Sequence, residues 1–235
     1  MYLPPLFAET RTDLLHGLIA AHPLGALVTF GPDGLTADHI PFILDPAAGE
    51  HGTLIAHVAR ANPAWEVIDS QGGYPEEVLV IFQGPTAYIS PNWYPTKQIT
   101  HEVVPTYNYA VVHVHGSPII LHDPRWLRGA VGKLTKAMEA TQPSPWKMAD
   151  APTPYVNVLL EKIVGIEIPI ARITGKWKTS QNRPVADRAG ASNGLRATGD
   201  PAAAVMADLI VTMDPACTAE SLPTPAATDT APKRG

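Results

Sequence analysis

The stretch Ala26-Leu27-Val28-Thr29-Phe30-Gly31-Pro32-Asp33-Gly34-Leu35 decides the fold class. A β-prone run enters Gly-Pro-Asp-Gly, where proline presets φ and glycine accepts the positive φ of a tight turn. The apolar pattern then resumes through Leu44, so Ala26–Phe30 and Leu35–Leu44 predict a hairpin. Nothing after the turn reads as a helix, so its glycines are not a phosphate cradle. Downstream, Gly52–Ala59, Val78–Gln83 and Ala87–Ser90 read as strands. Tyr109–Leu121 reads as a long strand broken near Gly116-Ser117-Pro118, and Val164–Ile173 as the last one. Strands that follow one another through short connections favour an antiparallel barrel over a doubly wound α/β fold.

The helices are peripheral to that pattern. Leu14, Leu15, Leu18 and Ile19 follow a cap at Thr10 or Thr12, and Pro23 with Gly25 ends the segment. Asn62-Pro63 reads as an N-cap followed by proline at the first helical position, opening a short helix to about Asp69. Asp123-Pro124 opens a helix to about Ala140, and a further helix covers about Thr153–Ile163. Asn182–Gly199 reads as helix and turn, and Pro201–Ile210 as a last short helix. We expect one domain over 1–211. The 212–235 segment, dominated by Ala, Pro and Thr, is expected to be a disordered tail.

Composition narrows the class. The chain has 235 residues, 45% hydrophobic and 17% charged, with 25 prolines and 18 glycines. No apolar run approaches the ~18 residues of a spanning helix. Seventeen basic against 22 acidic residues give a net charge of −5, which does not support a strong nucleic-acid binder. The single Cys217 excludes an intrachain disulfide and a cysteine-based zinc site. The start, Met1-Tyr2-Leu3-Pro4-Pro5, lacks a basic and apolar leader, so we expect a reducing, cytoplasmic location with no membrane insertion.

Four places could carry chemistry. Phe82, Tyr88, Trp93, Tyr94, Tyr107 and Tyr109 crowd into a short proline-rich stretch beside Gln83, Asn92, Lys97 and Asn108. Aromatic faces beside convergent polar groups suit a flat, partly polar ligand, and equally a rigid loop over a barrel end. His57-Val-Ala-Arg60-Ala-Asn62-Pro63 sits where a strand gives way to a helix, so it is a candidate anion site, with a capped helix and a surface arginine as the plainer reading. His113 and His115 share one strand face, with His122 and His101 elsewhere; hydrogen-bonded strand histidines are favoured there over a metal. Lys176-Trp177-Lys178-Thr179-Ser180-Gln181-Asn182-Arg183 could grip a phosphorylated cofactor or a partner subunit, or be a solvated basic loop.

Several of these phrases resemble one family. His57-Val-Ala-Arg-Ala-Asn-Pro63, Phe82-Gln-Gly-Pro85, Ala87-Tyr-Ile-Ser-Pro91 with Trp93-Tyr94, Val104-Pro-Thr-Tyr-Asn-Tyr109, His113-Val-His-Gly116, and Gly175-Lys-Trp-Lys178 with Ser180-Gln-Asn-Arg183 are similar to motifs of the PaiB family. Its members are described as FMN-binding negative transcriptional regulators. The likeness runs in order over residues 1–210; Tyr107 stands where many relatives have Trp. It implies an α+β fold, a six-stranded antiparallel FMN-binding split barrel with peripheral helices, working as a homodimer with FMN at the subunit interface. Carried onto this chain, it makes His39, His57, Arg60 and Asn62 candidates for the phosphate and ribityl chain, and Gln83 for the isoalloxazine edge. Lys176, Trp177, Ser180 and Gln181 are further cofactor candidates, reaching across the dimer.

Two other functions compete with a flavin-bound regulator. One is an FMN-dependent oxidoreductase acting on a small substrate, the flavin supplying the chemistry. The other is a haem-binding or haem-degrading split barrel, in which His113 and His115 would matter. No helix-turn-helix is legible, so if gene regulation is the role, a ligand or partner is at least as good a route as direct DNA contact.

Overall fold

The computed structural model describes residues 1–69 and 77–213. The expected tail, 212–235, lies outside them except for its first two residues, and Thr212 ends the last helix instead. In chain order the strands are β1 (Ala8–Glu9), β2 (Leu24–Gly31), β3 (Gly34–Pro41), β4 (Ile43–Asp45), β5 (Thr53–Ala59), β6 (Val78–Ile89), β7 (Thr106–Gly116), β8 (Ile119–Leu121), β9 (Ile163–Pro169) and β10 (Arg172–Lys178). The helices are α1 (Thr12–Ala21), α2 (Ala64–Asp69), α3 (Lys97–Thr100), α4 (Pro124–Glu139), α5 (Thr153–Leu160), α6 (Val185–Ala197) and α7 (Pro201–Thr212).

The strands form two sheets, ordered β1-β10-β7-β6-β2-β3 and β4-β5-β9-β8. The architecture is a split barrel with peripheral helices: antiparallel, as the strand succession predicts, and divided into two sheets, as the family resemblance implies. The β2–β3 hairpin closes at Gly31↔Gly34, with Gly34 at φ 100°, where only glycine is unstrained. The returning strand is shorter than expected. It ends at Pro41, and after the buried Phe42 the chain joins the other sheet as β4. Val78–Gln83 and Ala87–Ser90 are one strand rather than two. Gly84 permits this, because a Cβ there would lie 2.8 Å from Leu18 and 3.1 Å from the Ala110 carbonyl. Val164–Ile173 is instead divided between β9 and β10, and α5 stops three residues before the expected Ile163.

Contacts divide the body drawn as one domain over 1–211 into two compact units. The first comprises Met1–Pro85 and Tyr109–Trp177. Leu27, Val80, Phe82, Val112, Val114, Leu54, Ile166 and Ile168 are almost fully buried in it, beneath Leu15, Leu18 and Ile19 of α1. Phe42 and Phe82 meet edge to face at 5.7 Å. Glu9 is buried and held by Arg11 through Nε at 2.9 Å, Nη2 at 2.7 Å and the backbone N–H at 2.8 Å. Burial pushes the Glu9 carboxyl up, but the Arg11 hydrogen bonds and charge outweigh it and hold the pKa below the usual carboxylate value.

The second unit comprises Thr86–Asn108 and the chain from Lys178. Ile89 and Tyr94 pack there against Ala191, Leu195, Met206 and Ile210 of α6 and α7. Gly190 and Gly194 of α6 make room for Trp93: a Cβ on either would lie 2.0 Å from its carbonyl or 2.3 Å from its ring. Buried Asp187 accepts hydrogen bonds from the Thr96 backbone at 3.1 Å and its hydroxyl at 2.7 Å.

Candidate functional site

The turn after β5 is built from its own side chains. The Arg60 N–H donates to the Lys162 carbonyl at 2.7 Å, and the Asn62 N–H to the Ala59 carbonyl at 2.9 Å. Asn62 Oδ1 accepts from the Ala64 N–H at 2.8 Å, which is the predicted N-cap of α2. Its amide also donates from Nδ2 to Asp38 on β3 at 2.8 Å, tying the turn to the strand that carries His39. Arg60 turns elsewhere. Its Nε donates to the Glu161 carbonyl at 2.9 Å and Nη2 to the Ile163 carbonyl at 3.0 Å, and Nη1 lies 3.3 Å from His122 Nδ1. His57 pairs with Gly165 on β9, and the Trp126 ring fills the space above Gly165, where a Cβ would lie 2.2 Å from it. Burial lowers the His57 pKa, so its imidazole is neutral at pH 7.

A second group assembles on the outer face of the six-stranded sheet. His39 pairs with Ala26 and Ala26 with Ile81, and Gln83 lies two residues beyond Ile81. Alternation therefore puts His39 and Gln83 on the face opposite the buried Leu27, Val80 and Phe82. Gly84 and Gly175 abut Leu18 and Leu15 of α1, so Gln83 and Lys176, one residue away on their strands, face away from α1. The Gln83 amide makes only long contacts, 3.3 Å to the carbonyls of Gly84 and Ala110.

Lys176 is the unusual member. It is 7% exposed, yet Nζ donates to the Tyr2 carbonyl at 3.1 Å and otherwise lies over the rings of Tyr2 and Tyr109, 5.6 and 5.3 Å from their centroids. A buried ammonium flanked by ring faces, with one carbonyl acceptor, is prepared for an anionic or electron-rich ligand. This donor set fits a flavin: Gln83 offers amide edge groups, Lys176 a positive charge and Tyr109 an aromatic face. His113 and His115 alternate with buried Val112 and Val114 on β7. Burial, then the N-terminal ammonium, lowers the His113 pKa, and burial, then Arg172, lowers that of His115. Among the described residues no group of three metal-ligating side chains is placed to hold an ion.

Trp177 is buried on the side of α1. Ser180 and Gln181 belong to the second unit. Ser180 has φ 69°, is buried, and accepts from Asn108 Nδ2 at 2.8 Å. Gln181 Oε1 accepts from the Thr179 N–H at 2.7 Å. Around them Tyr94 Oη, Asn108 Oδ1 and Thr179 Oγ1 are buried without a hydrogen-bond partner among the described residues, and the Arg183 guanidinium lies 4.8 Å from the Tyr94 ring centroid.

Sequence reasoning did not find Asp38, Tyr2, Trp65, Arg125 or Arg128. Asp38 had a signal in its place beside His39 on a predicted hairpin. Arg125 and Arg128 had one in their three-residue spacing, which puts two guanidinium groups on one side of a helix.

Residues 1–172 match the family described as "Putative FMN-binding domain". A protein of Emericella nidulans, AN0679, is 34% identical over 89% of this chain and 96% of its own length. The protease synthase and sporulation protein PAI 2 of Bacillus subtilis is 30% identical over 89% of this chain and 96% of its own. Among solved structures, the FAD and haem binding protein of Mycobacterium smegmatis superposes with a TM-score of 0.52 at 14% identity, covering 73% of each chain. At that identity the likeness speaks for the fold alone.

Proposed function

We propose, for a chain that belongs to the FMN-binding domain family and whose cofactor is FMN, that the flavin lies on the outer face of the six-stranded sheet in a homodimer that regulates gene expression. The observation that carries the placement is Lys176, a buried cation between two tyrosine rings on the face that also presents Gln83 and His39. In this reading Gln83 reads the polar edge of the isoalloxazine, and Lys176 supplies a charge-assisted hydrogen bond. Asn62 fixes the strand-to-helix turn against β3 beside His39, where the ribityl phosphate is proposed to run. Arg60 and His57 hold that turn and β5 in place. Trp177 positions Lys176 from the opposite face. Ser180 and Gln181 lie in the second unit and stay cofactor candidates on the family resemblance alone. The flavin, when bound, supplies the redox or light-absorbing chemistry; the chain binds and orients it.

The same face supports the dimer. Leu24, Phe30 and Leu35 are 59%, 42% and 73% exposed there, with Phe30 and Leu35 paired across the hairpin. The regulatory role rests on the resemblance to the PaiB family, in a cytoplasmic setting; no described helix is long and apolar enough to cross a membrane. A net charge of −5 favours an indirect route through a ligand or partner over direct binding to DNA.

The test is the visible spectrum of the purified protein before and after addition of FMN, followed by gel filtration. A flavin spectrum that travels with the protein is the expected result; loss of all flavin on the column overturns the reading. Rapid bleaching by NADPH, with turnover, would move the assignment from regulator to oxidoreductase.

A further inference from the structure

The flavin reading leaves unused a cavity beside the turn after β5. It measures about 560 Å³ and is lined by Arg60, His122, Arg125, Arg128, Asn157 and Glu161, with leucine side chains beside them. That volume lies within the roughly 300–1,000 Å³ of small-molecule sites. Three guanidinium groups meet one carboxylate there, in a chain of net charge −5. Among the described residues, none of the three makes an ion pair.

The donors are oriented before any ligand arrives. Arg60 is clamped by the carbonyls of Glu161 and Ile163. A guanidinium can only donate, so His122 Nδ1 is the acceptor in its contact with Arg60. Trp65 packs edge-on to the His122 ring at 5.4 Å and donates its indole N–H to the Arg60 carbonyl at 2.9 Å. Arg128 holds Asn157 Oδ1 with one nitrogen, while the other faces Met148 Sδ, a weak acceptor at 3.5 Å. The Arg125 side chain is exposed and, among the described residues, has no acceptor. The end of α4 is not the source of attraction, because Asp123 Oδ1 already accepts the Arg125 N–H at 3.0 Å.

We propose that this cavity binds a small phosphorylated molecule, at a site separate from the flavin. A phosphoryl dianion accepts from several directions at once, which suits forked guanidinium donors better than a single ammonium. Leu127 and Leu160, almost fully buried, form the floor of the cavity. Separation follows from direction: Arg60 points toward α4 and α5, whereas His39, Gln83 and Lys176 occupy the outer face of the six-stranded sheet. The proposal does not depend on the flavin reading.

The experiment titrates inorganic phosphate into the full-length, FMN-loaded protein by calorimetry, at constant ionic strength set with chloride. Wild type is compared with Arg125→Gln and with Arg125→Gln/Arg128→Gln, and FMN affinity is measured for each. The expected result is saturable phosphate binding in wild type, weakened at least about tenfold in the double variant, with FMN affinity changed less than twofold. Arg125→Gln alone, at an exposed side chain with no partner, keeps the test open if the double variant fails to fold; its expected loss is about threefold or more. Absence of phosphate binding in wild type, or equal binding in the variants, overturns the site. A parallel tenfold loss of FMN affinity overturns its separateness and assigns the cavity to the flavin phosphate.

Discussion

Lys176 and His57 set two basic side chains in different surroundings. The Lys176 side chain lies beside two aromatic rings and one carbonyl, so removing it should leave the fold intact and weaken the flavin. Hydrogen bonds to charged groups contribute about 1.5–3 kcal/mol. Lys176→Met should therefore raise the Kd for FMN by about 10- to 100-fold, read from quenching of flavin fluorescence; an unchanged Kd would remove Lys176 from the site. His57 is kept neutral by burial, its folded pKa lying below the unfolded value near 6.5. Between those two values the unfolded chain binds more protons, so stability rises with pH through that window and falls on acidification below about 6.5. Urea midpoints at pH 5 and 7.5 should differ, and His57→Gln should reduce the difference. It should not abolish it, because His113 and His115 are shifted in the same direction. The sequence named these residues through motif resemblance and strand alternation. It could not show that Lys176 would lie against Tyr2, 174 positions away, because that meeting depends on β1 pairing with β10.

Strands, turns and caps were the most legible level, and their failures have identifiable causes. The hairpin at Gly31–Gly34 and the caps at Asn62 and Asp123 were written in local turn chemistry, and the structure has them there. Gly84-Pro85 looked like a strand break, but the gap left by Gly84 is filled by Leu18, so β6 runs through. Asn62 carries two bonds at once, a cap on α2 and a tie to Asp38. Asn62→Ala should cost about 1–2 kcal/mol in urea unfolding and weaken FMN, whereas Asn62→Asp, which keeps the cap acceptor but sets a carboxylate against Asp38, should weaken FMN without recovering that stability. At Gly165 the constraint is steric. Gly165→Ala drives a methyl into the Trp126 ring and should destabilise by about 1–3 kcal/mol, seen as a lower thermal midpoint. A midpoint equal to wild type would mean that α4 shifts freely on β9.

For the molecule as a whole, the exposed Phe30 and Leu35 make a directly testable face. If this face carries the proposed dimer, Leu35→Glu should give a monomer by light scattering at micromolar concentration and weaken flavin retention with it; a variant that still scatters as a dimer would move the interface elsewhere. An antiparallel barrel was readable from strands in succession, and its split form from the resemblance to a family. The division into two units was not, because the second draws on chain segments nearly seventy residues apart and neither carries a linker-like composition. That interleaving sets an order of events during synthesis. Trp93 and Tyr94 leave the ribosome roughly a hundred residues before α6, whose Gly190 packs on the Trp93 carbonyl and whose Gly194 packs on its ring. Until α6 emerges, these two aromatic side chains have no lasting shelter. The nascent chain therefore exposes a sticky segment for the whole interval in which β7 to β10 are being made, and chaperone dependence should concentrate there.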